Sequence, residues 1–190
     1  MESVKGERQI VKKGIVVCFP GTGYTCREKL FTLCAEAYET RGYEVIKLDF
    51  SHIPFKEIET LEEALAFAMR AVKRQLDGIA FTDYEDVVWI SKSLGTVCAA
   101  LTEKELDVAP RHLLLTPVPD ALKLLRPGSN VTAMVLGTQD RFLTGEAMAE
   151  FCADRGYRYC IINDVGHNLK DEADNERTER INEQIVALCE

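Results

Sequence analysis

Chemistry is concentrated in the stretch VVWISKSLGTVCA, from Val87 to Ala99. Its apolar run, Val87-Val88-Trp89-Ile90, has the length and composition of a buried strand. The run leads into Ser91-Lys92-Ser93-Leu94-Gly95, after which Val97, Cys98 and Leu101 fall at helical spacing. A serine at the apex of an abrupt strand-to-helix turn describes a nucleophile elbow. Such a turn holds its hydroxyl on strained backbone and needs small residues two positions to either side. Gly95 meets that need, whereas Ser91 stands where the pattern G-x-S-x-G has its first glycine and departs from it. The competing reading is a serine-rich turn in which Ser93 caps the helix.

A hydroxyl is a poor nucleophile until a base takes its proton. His167 is the candidate base, because a neutral imidazole accepts at one nitrogen while donating at the other. Of the other histidines, His52 precedes the elbow and His112 is expected to begin a strand, at its far end from such a site. Asp140 is the candidate for holding the second ring N–H, with Asp120 as the alternative. Asp164 lies three residues before His167, too close along the chain to face its ring.

These residues need a scaffold, and the chain's pattern supplies one. Ile15 to Phe19, Tyr43 to Phe50, the elbow strand, His112 to Leu115, Val131 to Leu136 and Tyr157 to Ile162 read as strands. A further short edge strand is expected at Gln9-Ile10-Val11. Helices alternate with them. One opens on a Thr25–Glu28 capping box and a second on Thr60–Glu63. A short helix is expected near Gly145 to Cys152, and a closing one carries Ile181, Ile185 and Leu188 on one face. Thr116-Pro117-Val118-Pro119-Asp120 reads as a loop. Most strands are apolar on both faces, which predicts an α/β fold. Its sheet is mostly parallel, of about six or seven strands, with helices on both faces. One domain over residues 1–190 is expected.

Composition narrows the function. Hydrophobic residues make up 46% and charged ones 28%, ordinary for a soluble chain. The net charge of −8 leaves no electrostatic footprint for nucleic acid or an anionic membrane. No apolar stretch has the length of a signal peptide or a membrane span. Seven cysteines are an odd count for a disulfide scaffold, and none forms C-x-x-C or a zinc-ligand spacing with histidine. They read as buried thiols in a reducing, cytoplasmic compartment.

In parallel sheets, sites form beyond the carboxyl ends of the strands. The loops there follow Phe19 and Phe50, form the elbow, and contain Asp120, Asp140 and His167. Ser93, Asp140 and His167 follow one another in the order Ser…Asp…His. Gly137-Thr138-Gln139-Asp140 ends one strand and Gly166-His167 follows the next. On these motifs the chain resembles the α/β-hydrolase superfamily along most of its length, in its small, lidless serine-esterase form. The resemblance implies an oxyanion hole from the N–H of Leu94 and one from the loop after the first central strand. There Thr22 is the choice and Tyr24 the reserve. Gly21, Gly23 and Tyr24 would line the substrate site. Many relatives have His-Gly where this chain has Pro20-Gly21.

Larger relatives insert a lid, for which the short segment between the elbow helix and the next strand leaves no room. The site is therefore expected to be open, edged by Tyr24, the loop of His52 to Phe55, and Pro117 to Pro119. A dinucleotide fingerprint is the competitor for the first loop. Gly21-x-Gly23 precedes a strand ending near Asp49, but Cys26 replaces the third glycine and no P-loop is present. The expected function is a serine hydrolase cleaving a carboxylic ester, with a short or exposed acyl group, through an acyl-enzyme. It would use no metal or organic cofactor, and its partner would be a small-molecule ester or thioester. The alternatives are a thioesterase or acyltransferase using the same residues, and a non-catalytic binding protein on the same fold.

Overall fold

The computed structural model describes residues 12–189. The expected edge strand at Gln9-Ile10-Val11 lies outside them. Among the described residues there are six strands: β1 (Lys12–Phe19), β2 (Glu44–Lys47), β3 (Tyr84–Ser93), β4 (Arg111–Pro117), β5 (Asn130–Gly137) and β6 (Tyr159–Ile162). Between them run α1 (Lys29–Glu39), α2 (Leu61–Leu76), α3 (Leu94–Leu106), α4 (Pro119–Leu124) and α5 (Gly145–Arg155), and α6 (Asn175–Val186) follows the last strand. The sheet order is β2-β1-β3-β4-β5-β6, and every pairing is parallel.

The continuous apolar runs explain this layering, since a strand buried on both faces must be covered twice. Val16 and Cys18 of β1 pack with Leu30, Phe31 and Cys34 of α1 and with Ile181 and Ile185 of α6. Ile15, Val17 and Phe19 point the other way, onto Ala68 and Val72 of α2 and Cys98 of α3. A third cluster joins Met134 and Leu136 of β5 to Met148 and Cys152 of α5. The cysteines are free thiols, most of them fully buried. Burial pushes the Cys98 thiol up to about 12, which keeps it a neutral packing group.

Local signals held unevenly. Thr60 caps α2 by accepting from the Glu63 N–H at 3.2 Å. Thr25 does not cap α1: its hydroxyl accepts from Arg27 N–H at 3.3 Å and Glu28 becomes the N-cap without a side-chain bond. The Thr25 carbonyl accepts from Glu28 N–H, a turn that delays the helix to Lys29. β2 stops at Lys47 rather than Phe50, because Asp49 turns the chain by accepting from Ser51 N–H. α4 replaces the end of the expected loop at Thr116 to Asp120; Pro119 occupies its first turn, where a missing N–H costs nothing. Among the described residues, no helix is long and apolar enough to cross a membrane.

Candidate active site

β3 ends on Ser93, and α3 begins at the next residue. Ser93 holds φ 53° and ψ −123°, a region a side chain rarely adopts, and the β3–β4 register shifts between Lys92 and Ser93. Its side chain makes no capping bond to α3, so the cap reading of this serine does not hold. Gly95 is what lets the turn close. A Cβ there would lie 2.2 Å from the Phe19 carbonyl oxygen and 2.5 Å from that of Pro20. The nearest obstacles are thus backbone carbonyls at and just after the end of β1. Ser91 is fully buried, in register with Phe19 and Leu114, and its hydroxyl has no partner.

The loops after β5 and β6 approach as closely. A Cβ at Gly137 would sit 2.1 Å from the Val165 carbonyl oxygen, so only glycine lets the two loops pack. They are stitched by Gln139 N–H to Val165 O at 3.0 Å, Thr138 N–H to Ile162 O at 2.9 Å, and Asp164 N–H to Thr138 Oγ1 at 2.9 Å. This brings Asp140 beside His167: Nδ1 lies 2.7 Å from Asp140 Oδ2, and Nε2 lies 2.8 Å from Ser93 Oγ. An ionised carboxylate only accepts, which puts the ring proton on Nδ1 and leaves Nε2 to accept from the serine hydroxyl.

The Asp140 side chain is buried, and burial alone would raise its pKa. The bonds from His167, from Phe142 N–H at 2.8 Å and from Leu143 N–H outweigh that and hold it below its ordinary value. The Phe142 ring packs edge-on against the His167 imidazole, with centroids 4.7 Å apart. Asp120 lies elsewhere: 45% exposed, it accepts from Lys123 at 2.9 Å.

Leu94 opens α3, so its N–H is one of the donors that a helix's first turn leaves free. The Gly21–Tyr24 loop is closed by Gly21 N–H to Tyr24 O at 3.0 Å, and no bond among the described residues takes the Thr22 N–H. Thr22, Gly21, Gly23 and Tyr24 line a small cavity of about 120 Å³ together with Ser93, Lys92, His167, Asn168 and Arg141. Tyr24 is mostly core, only 6% exposed. A larger hollow of about 280 Å³ adjoins the first across Gly21 and Thr22, walled by Phe50, Ile53 and Phe55. The expected wall at Pro117 to Pro119 lines neither hollow, because that segment bends into α4. The dinucleotide alternative loses its helix: α1 starts at Lys29, after a turn, so no helix N-terminus faces the glycine loop.

Sequence reasoning passed over Lys92, Phe142 and Arg141. Lys92 sits inside the elbow motif itself, but a lysine between two serines reads as a solvated charge. No donor set for a metal is present among the described residues.

No protein-family model and no curated protein matches the sequence. Solved structures do match it in fold. An α/β serine hydrolase homologue from Coxiella burnetii superposes with a TM-score of 0.64 at 17% identity, covering 95% of this chain and 85% of that one. Est1E from Butyrivibrio proteoclasticus, solved with ferulic acid bound, gives 0.63 at 16% identity over 97% and 92% of the two chains. Mouse α/β-hydrolase domain-containing protein 10 gives 0.59 at 14% identity over 92% and 90%. The architecture is the α/β-hydrolase fold.

Proposed function

We propose that a chain with this fold and this hydrogen-bonded series is a serine hydrolase acting on carboxylic esters. The carrying observation is the continuous run from Ser93 Oγ through the His167 ring to Asp140, with bonds of 2.8 and 2.7 Å. As Ser93 Oγ attacks the carbonyl carbon, its proton passes to His167 Nε2. Asp140 holds the imidazole's orientation and stabilises the imidazolium. The developing oxyanion is received by the N–H groups of Leu94 and Thr22. The imidazolium then gives its proton to the departing alcohol, leaving an acyl-serine. A water deprotonated by the same nitrogen hydrolyses that ester and restores the enzyme.

The adjoining hollow of about 280 Å³ suits a short or flat apolar group on the ester, and a thioester fits the same chemistry. A fluorophosphonate probe tests the reading directly. Ser93 is expected to be the labelled residue, and Ser93→Ala to lose label and about 10⁴-fold or more of the esterase rate. No label on an otherwise folded protein would make the fold a binding scaffold here.

A further inference from the structure

We infer that Lys92 is a positioning residue for His167: its ammonium, anchored on Thr116, holds the backbone of the histidine that serves Ser93. The inference rests on the serine-hydrolase reading and adds to it a residue that no elbow motif specifies.

Lys92 is fully buried, rare for a lysine and costly unless its donors are met. Nζ donates to Thr116 Oγ1 at 2.8 Å and to the His167 carbonyl oxygen at 2.5 Å. Its remaining direction faces the Tyr24 ring, 4.7 Å from the centroid. No carboxylate forms an ion pair with it among the described residues. One side chain thus ties the elbow, the end of β4 and the His167 loop. Thr116 is itself fully buried and holds a left-handed φ of 44°, an unusual conformation for a β-branched residue. A side chain needed only for volume would be Met or Leu, which fill the space without desolvating a charge. The two ring bonds orient the imidazole, and the backbone bonds of the loop hold its neighbours; Lys92 holds the carbonyl of His167 itself.

The groups facing Lys92 are Asp140 from the loop after β5, His167 and Lys170 from the loop after β6, Tyr24 from the loop after β1, and Thr116 from β4. Burial lowers the Lys92 pKa to about 7; Asp140 opposes the fall and Lys170 adds to it. A neutral amine still has N–H donors for both acceptors, so the clamp survives loss of the proton. The electrostatic influence on the neighbouring base does not.

Two variants test this, Lys92→Met and Thr116→Val, each compared with wild type for thermal stability, ester hydrolysis and the rate of fluorophosphonate labelling. Folded Lys92→Met is expected to lose about 10²-fold in kcat and labelling rate, with KM moving less than about threefold, as misplacement of a catalytic group does. Thr116→Val, which removes one anchor, is expected to lose about tenfold. In Lys92→Met the acid limb of the kcat/KM profile moves to higher pH, because a cation has left the base's surroundings. Thr116→Val, which keeps the cation, leaves that limb in place, so its loss of rate reports position alone. Wild-type rates and profile in folded Lys92→Met overturn the inference. Should that variant not fold, wild-type behaviour in Thr116→Val overturns it.

If wild type takes no label at Ser93, the hydrolase reading fails by itself. The clamp is then read from the low-field proton resonance of the His167–Asp140 bond. Its loss in either variant supports the clamp, and its persistence in both removes it.

Discussion

Among the described residues, two histidine–carboxylate pairs lie at opposite ends of the sheet, in different surroundings. At the carboxyl end, the Asp140 side chain is buried while His167 keeps 17% of its side chain exposed and offers its second nitrogen to Ser93. At the other end, Glu103 and His112 are both almost fully buried, 3.3 Å apart, and neither ring nitrogen of His112 meets hydrogen-bond geometry. Glu103 is instead satisfied by Ser129 Oγ at 3.0 Å and by Arg126, while His112 stands edge-on to Trp89. One helix joins the two, since α3 starts at the elbow and carries Glu103 ten residues on. A histidine beside a carboxylate is therefore no site by itself. What separates the two is a serine hydroxyl on the second ring nitrogen, access from solvent, and a place beyond the strands' carboxyl ends.

The largest contrast is in turnover. Asp140→Asn presents an amide N–H to His167 Nδ1 and forces the wrong tautomer, so kcat is expected to fall about 10⁴-fold. Asp120→Asn, altering a carboxylate bound only to Lys123, is expected to stay within about twofold of wild type, as does Glu103→Gln at the far end. Steady-state assays of the three decide it. A collapse in Asp120→Asn would move the acid to the end of β4, and a collapse in Glu103→Gln would erase the contrast.

Stability should invert that ranking. Glu103→Gln weakens charge-assisted bonds to Arg126 and Ser129 inside the core, and is expected to cost about 2 kcal/mol by denaturant titration. Equal midpoints for variant and wild type would mean that the far pair is as dispensable to folding as it is to turnover.

The same pair sets a pH window. Burial works to raise the Glu103 pKa, but the His112 ring 3.3 Å away, the bond from Ser129 and the charge of Arg126 bring it below its ordinary 4.5. A depressed carboxylate contributes stability fully above its unfolded value and loses it as pH falls through the lower folded one. The gap in melting temperature between wild type and Glu103→Gln is therefore expected to be widest above about pH 4.5 and to close under acid. A gap independent of pH would attribute the loss to packing.

The contrast also explains what the sequence disclosed. The grouping of Ser93, Asp140 and His167 was legible because glycines punctuate their loops and strand order places those loops together. Gly95 and Gly137 are glycines because backbone of another segment passes within reach of a side chain there. The sheet was equally plain, its strands being apolar on both faces. Lys92 was hidden because burial of a lysine is decided by segments distant in sequence, here Thr116 and His167. Thr25 misled for a related reason: its capping pattern competed with a tighter local turn, which the chain took instead. α4 was lost between two prolines that read as loop.

The smallest expected effect concerns two hydroxyls two residues apart. Ser93 Oγ has a partner and solvent access, while Ser91 Oγ is sealed between β1 and β4 with no bond. A buried hydroxyl without a partner is a standing cost, so Ser91→Ala is expected to raise stability by about 1 kcal/mol and leave turnover unchanged. Ser91→Gly should also keep activity, whereas Ser91→Leu has no room against Phe19 and Leu114 and should cost about 1–3 kcal/mol while displacing Ser93. Chemical denaturation of the three variants, with kcat measured on each, tests the point. A destabilised Ser91→Ala would show that the hydroxyl is satisfied after all, by a trapped water. The departure from glycine at this position would then be a polar anchor of the elbow rather than a tolerated substitution.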